Sequence, residues 1–365
     1  MRSIPSYIES LQPYKAGKPI DEVKRELGLR HVIKLASNEN PLGASPRAME
    51  AMKRAMGELH LYPNGGADLR AALAERFNLS AGNVITGSGS EAIMLNILRT
   101  FLAPGDEVIT TEAAFIGFQV LAHAAGTSYR TVPYRDWRYD LPAIADLVTG
   151  RTKLIYLANP NNPTGTMFTE AEFDQFYKRI PSEVLIILDE AYFEYAAADP
   201  SYPDSLHYRY DNVITLRTFS KIYGLAGIRI GYGFAHPDLI SLMMKVKLPF
   251  EPSTLAQAAG IGALGDTEFL TRSTDLNTQG REFLHRSLTG MRLHPVRSAA
   301  NFIMVPLRSE EEVQSVYQDL LRAGVIVRPL KPFGLPHCLR ITIGTPEENA
   351  VLVEKLQNII DRVPV

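Results

Sequence analysis

A chain of 365 residues exceeds the usual size of one domain and predicts a large domain joined to a smaller one. With 45% hydrophobic and 21% charged residues, a formal net charge of -2 and no basic block, the composition excludes a disordered chain and a nucleic-acid binder, and no segment approaches membrane-spanning length. Cys338 is the only cysteine, which excludes an intramolecular disulfide and a cysteine zinc cluster; with no leader-like N-terminus, a cytoplasmic protein with a small ligand is expected.

From about Asn64 helix-like and strand-like pieces alternate, the pattern of a mostly parallel sheet between helices and hence of an α/β fold. Residues 67–77 set Leu69, Leu73 and Phe77 at helical spacing, and 83–86 read as a short strand before a glycine-rich turn. Residues 91–102 are helical, 107–110 a strand, and 115–125 a helix closed by Gly126. The apolar runs 153–158, 184–188 and 213–217 are of the kind buried in parallel sheets, and 231–234 read as an antiparallel edge strand returning to that sheet. The last third changes character. A polar helical stretch over 276–293 precedes strand-like 301–306, 325–329 and 339–343, covered by helical stretches from Glu310 and Glu347. The expected division is a large domain over 40–255 and a small α+β domain over 256–365, with residues 1–39 packed on it.

Ligands of open α/β sheets collect beyond the carboxyl ends of the strands, so the residues following each apolar run carry the functional signal. There the sequence places Gly87-Ser88-Gly89-Ser90-Glu91, then Asn159-Pro160-Asn161-Asn162-Pro163-Thr164-Gly165, then Asp189-Glu190-Ala191-Tyr192, then Ser220-Lys221. Each has an ordinary explanation: a helix N-cap, a turn built of turn-formers, a capping aspartate, a packed tyrosine. Co-location favours the functional one, because four independent strand ends would deliver a lysine, a carboxylate, an amide, a phenol and anion-binding turns to one crevice.

The stretches GSGSEA, NPNNPTG, DEAY, TFSK and GIRIGY, in that order, resemble the fold-type I pyridoxal-phosphate aminotransferases. YKAGKPIDEVKRELGL, IKLASNENPLG and LYPNGG near the start, and GVIVRPL, FGLP and LRITIGTPEEN near the end, extend the likeness to the histidinol-phosphate aminotransferases over nearly the whole chain. The resemblance implies a seven-stranded, mostly parallel sheet between helices with a smaller α+β domain, and amino transfer between L-histidinol phosphate and 2-oxoglutarate. It implies that Lys221 forms the Schiff base with pyridoxal 5'-phosphate and then moves the substrate proton, its amine depressed by desolvation and by Arg229. Asp189 would sit on the pyridine nitrogen, with Asn162 and Tyr192 on the ring oxygen and Phe115 stacked on the ring face unless it is simply a helix-core side chain. The phosphate would lie against Gly89, Ser90, Glu91, Ser220 and Arg229, with Tyr62 reaching it from the second subunit of a homodimer. Tyr14, Asn40, Arg328 and Arg340 would bind substrate, Arg328 otherwise being an exposed strand-end arginine.

One departure keeps other substrates open. GSGSEA has a single acid where these enzymes often have two, and the aromatic residues Tyr192, Tyr223 and Phe333 would also suit a phenyl or phenol ring. An aromatic-amino-acid aminotransferase is therefore the alternative, and a pyridoxal-phosphate decarboxylase of a phosphorylated amino acid a more distant one. A non-catalytic regulator would be expected to lack Lys221 or Asp189, and a dinucleotide-binding oxidoreductase would need a fuller glycine fingerprint than GSGSEA.

Overall fold

The computed structural model describes residues 4–11, 18–208 and 211–361. Tyr14 falls outside them. In chain order the strands are β1 (Ile33–Lys34), β2 (Val84–Gly87), β3 (Glu107–Thr111), β4 (Ser128–Val132), β5 (Thr152–Ala158), β6 (Leu185–Asp189), β7 (Val213–Thr218) and β8 (Gly231–Phe234). The last third adds β9 (Phe302–Pro306), β10 (Val325–Ile326), β11 (Arg328–Pro329) and β12 (Cys338–Thr342).

Seven strands form one sheet in the order β2-β8-β7-β6-β5-β3-β4, as the α/β reading requires. Only β8 runs against the others, pairing antiparallel with β2 on one side and β7 on the other. The expectation of an edge strand is thus corrected: β8 is interior, because β2 takes the edge. Along β5, Leu154, Tyr156 and Ala158 enter one core with Ile93, Phe118 and Ile187, while Ile155 and Leu157 enter another with Ile109, Phe173 and Ile186. Both faces are covered by helices, which is why the central strands read as unbroken apolar runs. The edge strand β4 escapes that signal, since SYRTV is polar and largely uncovered.

A three-stranded antiparallel sheet, β11-β12-β9, and the parallel pair β1-β10 build the second unit. Its core joins Leu284, Leu288, Ile303, Val305, Ile341 and Leu352 with Leu35 from the N-terminal segment. The run 325–329, expected as one strand, divides between two sheets: Val325 and Ile326 pair with β1, Arg328 and Pro329 with β12. The partner that splits it is a two-residue strand almost three hundred residues earlier, invisible to local pattern. Helix Thr254–Leu264, most of which the sequence assigns to the small domain, instead buries Ala256, Ala259 and Ala263 beside Leu69, Phe219 and Tyr232 in the core of the large unit. The helix expected over 276–293 begins earlier and spans Thr267–Gly290.

Candidate active site

Every parallel strand of the large sheet ends at the same edge, so the loops after β2, β3, β5, β6 and β7 meet there. Because β8 is reversed, its beginning lies at that edge too: Gly231 pairs with Gly87 and Thr218, and Arg229 arrives beside the turn after β2. The sheet thus explains how residues so far apart in sequence share one crevice.

An inner cavity of about 170 Å³ is lined by Ser90, Glu91, Phe115, Asn162, Asp189, Tyr192, Ser220, Lys221 and Arg229, with smaller neighbours. Asp189 is buried at the end of β6; its Oδ2 accepts a 2.6 Å hydrogen bond from the Tyr156 hydroxyl and its Oδ1 one of 3.2 Å from the Ala191 amide. Burial lifts its carboxyl to about 6, against these two bonds and the Lys221 charge, so it stays ionised at neutral pH. Tyr156 is a support that the sequence reading missed. A lone tyrosine inside the aliphatic run of β5 was its signal, since a buried phenol needs a partner.

Desolvation lowers the Lys221 amine to about 8, with Arg340 the next contributor and Arg229 a smaller one, while Glu39 and Asp189 oppose. Arg340, rather than Arg229, is therefore the principal cationic neighbour. Lys221 Nζ lies 5.6 Å from the centre of the Tyr192 ring. Tyr192 is itself buried, which pushes its phenol up to about 12.

The anion-binding end rests on helix Ser90–Phe101. Its N-cap, Gly89, supplies no side-chain hydrogen bond, which leaves the first amide groups without a capping side chain. Arg229 closes that end, its Nη2 3.3 Å from Glu91 and its Nη1 donating to the Ala226 carbonyl at 3.1 Å. A Cβ on Gly89 would stand 2.6 Å from that Nη2, and one on Gly231 would stand 2.4 Å from the Ser90 amide nitrogen. Both glycines are needed for this approach. Arg229 holds a left-handed φ of 57°, a conformation that costs a non-glycine residue about 1 kcal/mol or more.

The outer cleft, about 660 Å³, shares Glu91, Phe115, Asn162, Tyr192, Lys221 and Arg229 with the inner cavity and adds Asn38, Arg328, Phe333 and Arg340. Arg328 and Arg340 are direct cross-strand partners, and both are buried. Their guanidinium carbons lie 6.0 and 5.7 Å from the Phe333 ring centre. Arg340 donates to Asn162 Oδ1 at 2.5 Å and to the Ala36 carbonyl at 3.0 Å, which commits the Asn162 amide oxygen.

Several expectations change here. Asn40 does not line the site: its Nδ2 donates to the Ile222 carbonyl (2.6 Å) and to Ser273 Oγ (2.9 Å), and its Oδ1 caps the Leu42 amide (3.0 Å). It braces the loop behind Lys221. Asn38, two residues earlier, takes the lining position that the sequence reading gave to Asn40. Tyr223 packs against Phe219 in the hydrophobic core rather than in the cleft. Tyr62 lies outside both cavities, 82% exposed and stacked on Phe250 at 4.4 Å.

Residues 30–356 match the model of the family aminotransferase class I and II. The histidinol-phosphate aminotransferase of Anaeromyxobacter sp. (strain Fw109-5) is 43% identical over 99% of this chain and 100% of its own length; that of Moorella thermoacetica is 43% identical over 97% and 92%. The chain belongs to the histidinol-phosphate aminotransferases of aminotransferase class I and II. Among solved structures, the histidinol-phosphate aminotransferase of Sinorhizobium meliloti in complex with pyridoxal-5'-phosphate superposes with a TM-score of 0.89 at 30% identity, over 99% of this chain and 98% of that one. An aspartate aminotransferase of Thermus thermophilus, at 22% identity and a TM-score of 0.86 over 98% of this chain and 100% of that one, shares the fold. That fold is the fold-type I architecture of the aminotransferases.

Proposed function

We propose that this member of the histidinol-phosphate aminotransferases carries out the reaction its relatives are named for, exchanging the amino group between L-histidinol phosphate and 2-oxoglutarate with pyridoxal 5'-phosphate in the inner cavity. The observation that carries the reading is the position of Lys221, between a buried carboxylate at one end of the inner cavity and two buried arginines across the outer cleft. The cavity suits the cofactor: an amine near neutrality, an ionised carboxylate for a ring nitrogen, and an uncapped helix start beside a guanidinium for a phosphate.

Bound there, the cofactor supplies a carbonyl that captures amines and a ring that absorbs the electrons released at the substrate carbon. Lys221 anchors it, then takes the proton from the substrate carbon and returns it, for which an amine of pKa about 8 is well matched. Asp189 would hold negative charge against the ring nitrogen, and Asn162 and Tyr192 would donate to the ring oxygen. Ser90, Glu91, Ser220 and Arg229 would enclose the phosphate, with Gly89 permitting the approach, and Phe115 would cover the ring. Arg328 and Arg340 grip the substrate phosphate in one half-reaction and the carboxylates of glutamate or 2-oxoglutarate in the other.

The active unit is a homodimer in this reading. Tyr62 and Phe250, stacked on one another, and Leu59, Leu61 and Leu248 are exposed apolar side chains of the sort a second copy would cover, and Tyr62 would reach the phosphate site of that copy. The large domain runs from residue 40 through helix Thr254–Leu264, and the described residues after it, with residues 18–39, form the small domain; the expected packing of the whole N-terminal segment on the small domain does not hold for helix Ser6–Glu9, which lies on helix Ile116–Ala124 of the large unit. Cytoplasmic location fits the chain, in which no helix among the described residues is long and apolar enough to cross a membrane.

A second reading, an aromatic-amino-acid aminotransferase, draws on the apolar wall of Leu95, Phe115, Val120 and Phe333 in the outer cleft. The class is tested by adding pyridoxal 5'-phosphate to the purified protein, reducing with borohydride and mapping the adduct by peptide mass spectrometry. An adduct on Lys221 is expected; a protein that takes up no cofactor would refute the proposal. Glutamate formation from histidinol phosphate and 2-oxoglutarate tests the substrate, and its absence would refute that part.

A further inference from the structure

Asn38 is buried on the wall of the outer cleft in a left-handed conformation, φ 57°, and the roles above leave it unused. Its hydrogen bonds join three parts of the chain. The Asn38 amide N–H donates to Thr342 Oγ1 at 2.9 Å, and the Asn38 carbonyl accepts from Asn301 Nδ2 at 3.0 Å. Thr342 Oγ1 in turn donates to Asn38 Oδ1 at 3.0 Å, and Asn38 Nδ2 lies 2.8 Å from the Tyr192 hydroxyl.

The directions follow from the chemistry. Thr342 Oγ1 accepts from a backbone N–H, so its single proton is free to go to Asn38 Oδ1. The Asn38 side-chain carbonyl is thereby assigned, and its Nδ2, which can only donate, faces Tyr192. The phenol oxygen must accept that bond. With the phenol oxygen accepting from Asn38, its own proton is left for a partner other than Asn38, and Tyr192 lines the inner cavity together with Asn162 and Lys221.

We infer that Asn38, locked by Thr342, is a positioning residue that aims the Tyr192 hydroxyl proton into the Lys221 site, making the phenol a committed donor to a ligand oxygen there. This rests on the function proposed above, in which that oxygen belongs to the cofactor ring. Thr342 and Arg340 lie two apart on β12, so they share one face of that strand. Besides Lys221, the charged groups acting on the phenol are Arg340, which lowers its pKa, and Asp189, which raises it.

The test uses Asn38→Gly, which suits the left-handed backbone, and Thr342→Val, each alone and combined with Tyr192→Phe, in protein reconstituted with pyridoxal 5'-phosphate. Two readouts apply: the pH at which the cofactor's visible absorption band changes, and the Kd for cofactor binding to the apoprotein. A donor to the ring oxygen stabilises its deprotonated form, so loss of a committed donor should move the band's midpoint up, by about half a pH unit or more. The Kd should rise by about fivefold. Thr342→Ser should restore both values, and in the Tyr192→Phe background neither Asn38→Gly nor Thr342→Val should add a further shift. Wild-type midpoints and Kd in both single variants, or shifts that persist undiminished without the phenol, would overturn the inference while leaving the proposed function intact. A wild-type protein that takes up no cofactor would overturn both. If Asn38→Gly does not fold, Thr342→Val and its serine control carry the test alone.

Discussion

Around Lys221 the inner cavity is lined by the ends of strands in a single sheet, whereas the outer cleft borrows Arg328 and Arg340 from a second sheet and Asn38 from a segment 304 residues away from its partner Thr342. The inner half is therefore as rigid as the sheet that carries it. The outer half depends on how the small sheet and the N-terminal segment sit against the large one, through bonds such as Arg340 to Asn162 Oδ1 and Asn38 Nδ2 to the Tyr192 hydroxyl. In the proposed function, cofactor chemistry falls mainly to the inner half and substrate recognition to the outer.

That contrast is broken most severely at Lys221. Lys221→Ala should lose the cofactor linkage and lower kcat by about 10⁴-fold or more, measured by steady-state turnover, with an unchanged circular-dichroism spectrum. Asp189→Asn should keep the cofactor but slow a single turnover by about 10²- to 10³-fold, read by stopped-flow absorbance; an unchanged rate would remove Asp189 from the ring nitrogen.

The outer arginines sharpen the comparison because they differ. Arg328→Met should raise KM by about 30-fold or more with little change in kcat. Arg340→Met also breaks the bond to Asn162 and removes the first cationic neighbour of Lys221, so it should lower kcat as well as raise KM. Equal kcat effects in the two variants would erase the difference.

The pH dependence follows from Lys221 alone. Capture of the cofactor by the apoprotein needs the neutral amine, and its folded pKa is depressed to about 8. The capture rate should rise by about tenfold per pH unit below 8 and level off above it, well short of the plateau near 10.4 expected of an unperturbed lysine. Asn40→Ala should have the smallest catalytic effect. It removes buried hydrogen bonds to Ile222 and Ser273, so a loss of about 1–3 kcal/mol and a Tm lower by several degrees are expected, with KM for both substrates unchanged.

The two halves were also unequally legible in the sequence. Lys221, Asp189, Asn162 and Tyr192 announced themselves because each follows an apolar strand, and strand ends of one parallel sheet must converge. The α/β class was readable for the same reason. The position of β8 was not, since GYGF carries no mark of which strand pairs on its far side, and β4 was hidden by its polar edge composition. Asn38 and Asn40 stand in the same SNEN stretch, and the sequence alone does not separate their roles. Only the tertiary bonds to Tyr192 and Thr342 on one side, and to Ile222 and Ser273 on the other, tell them apart. The pairing of Arg328 with Arg340 needed the register of β11 against β12, which no local pattern encodes.

In the proposed function the buried arginine pair beside Lys221 recognises a phosphate at the far end of the amino donor. The direct measurement is kcat/KM for histidinol phosphate against phenylalanine and tyrosine, each with 2-oxoglutarate as acceptor. A preference for histidinol phosphate of about 10³-fold or more, collapsing in Arg340→Met, is the result expected. A preference for the aromatic amino acids would contradict the claim, assign both arginines to carboxylates alone, and leave the inner cavity as described.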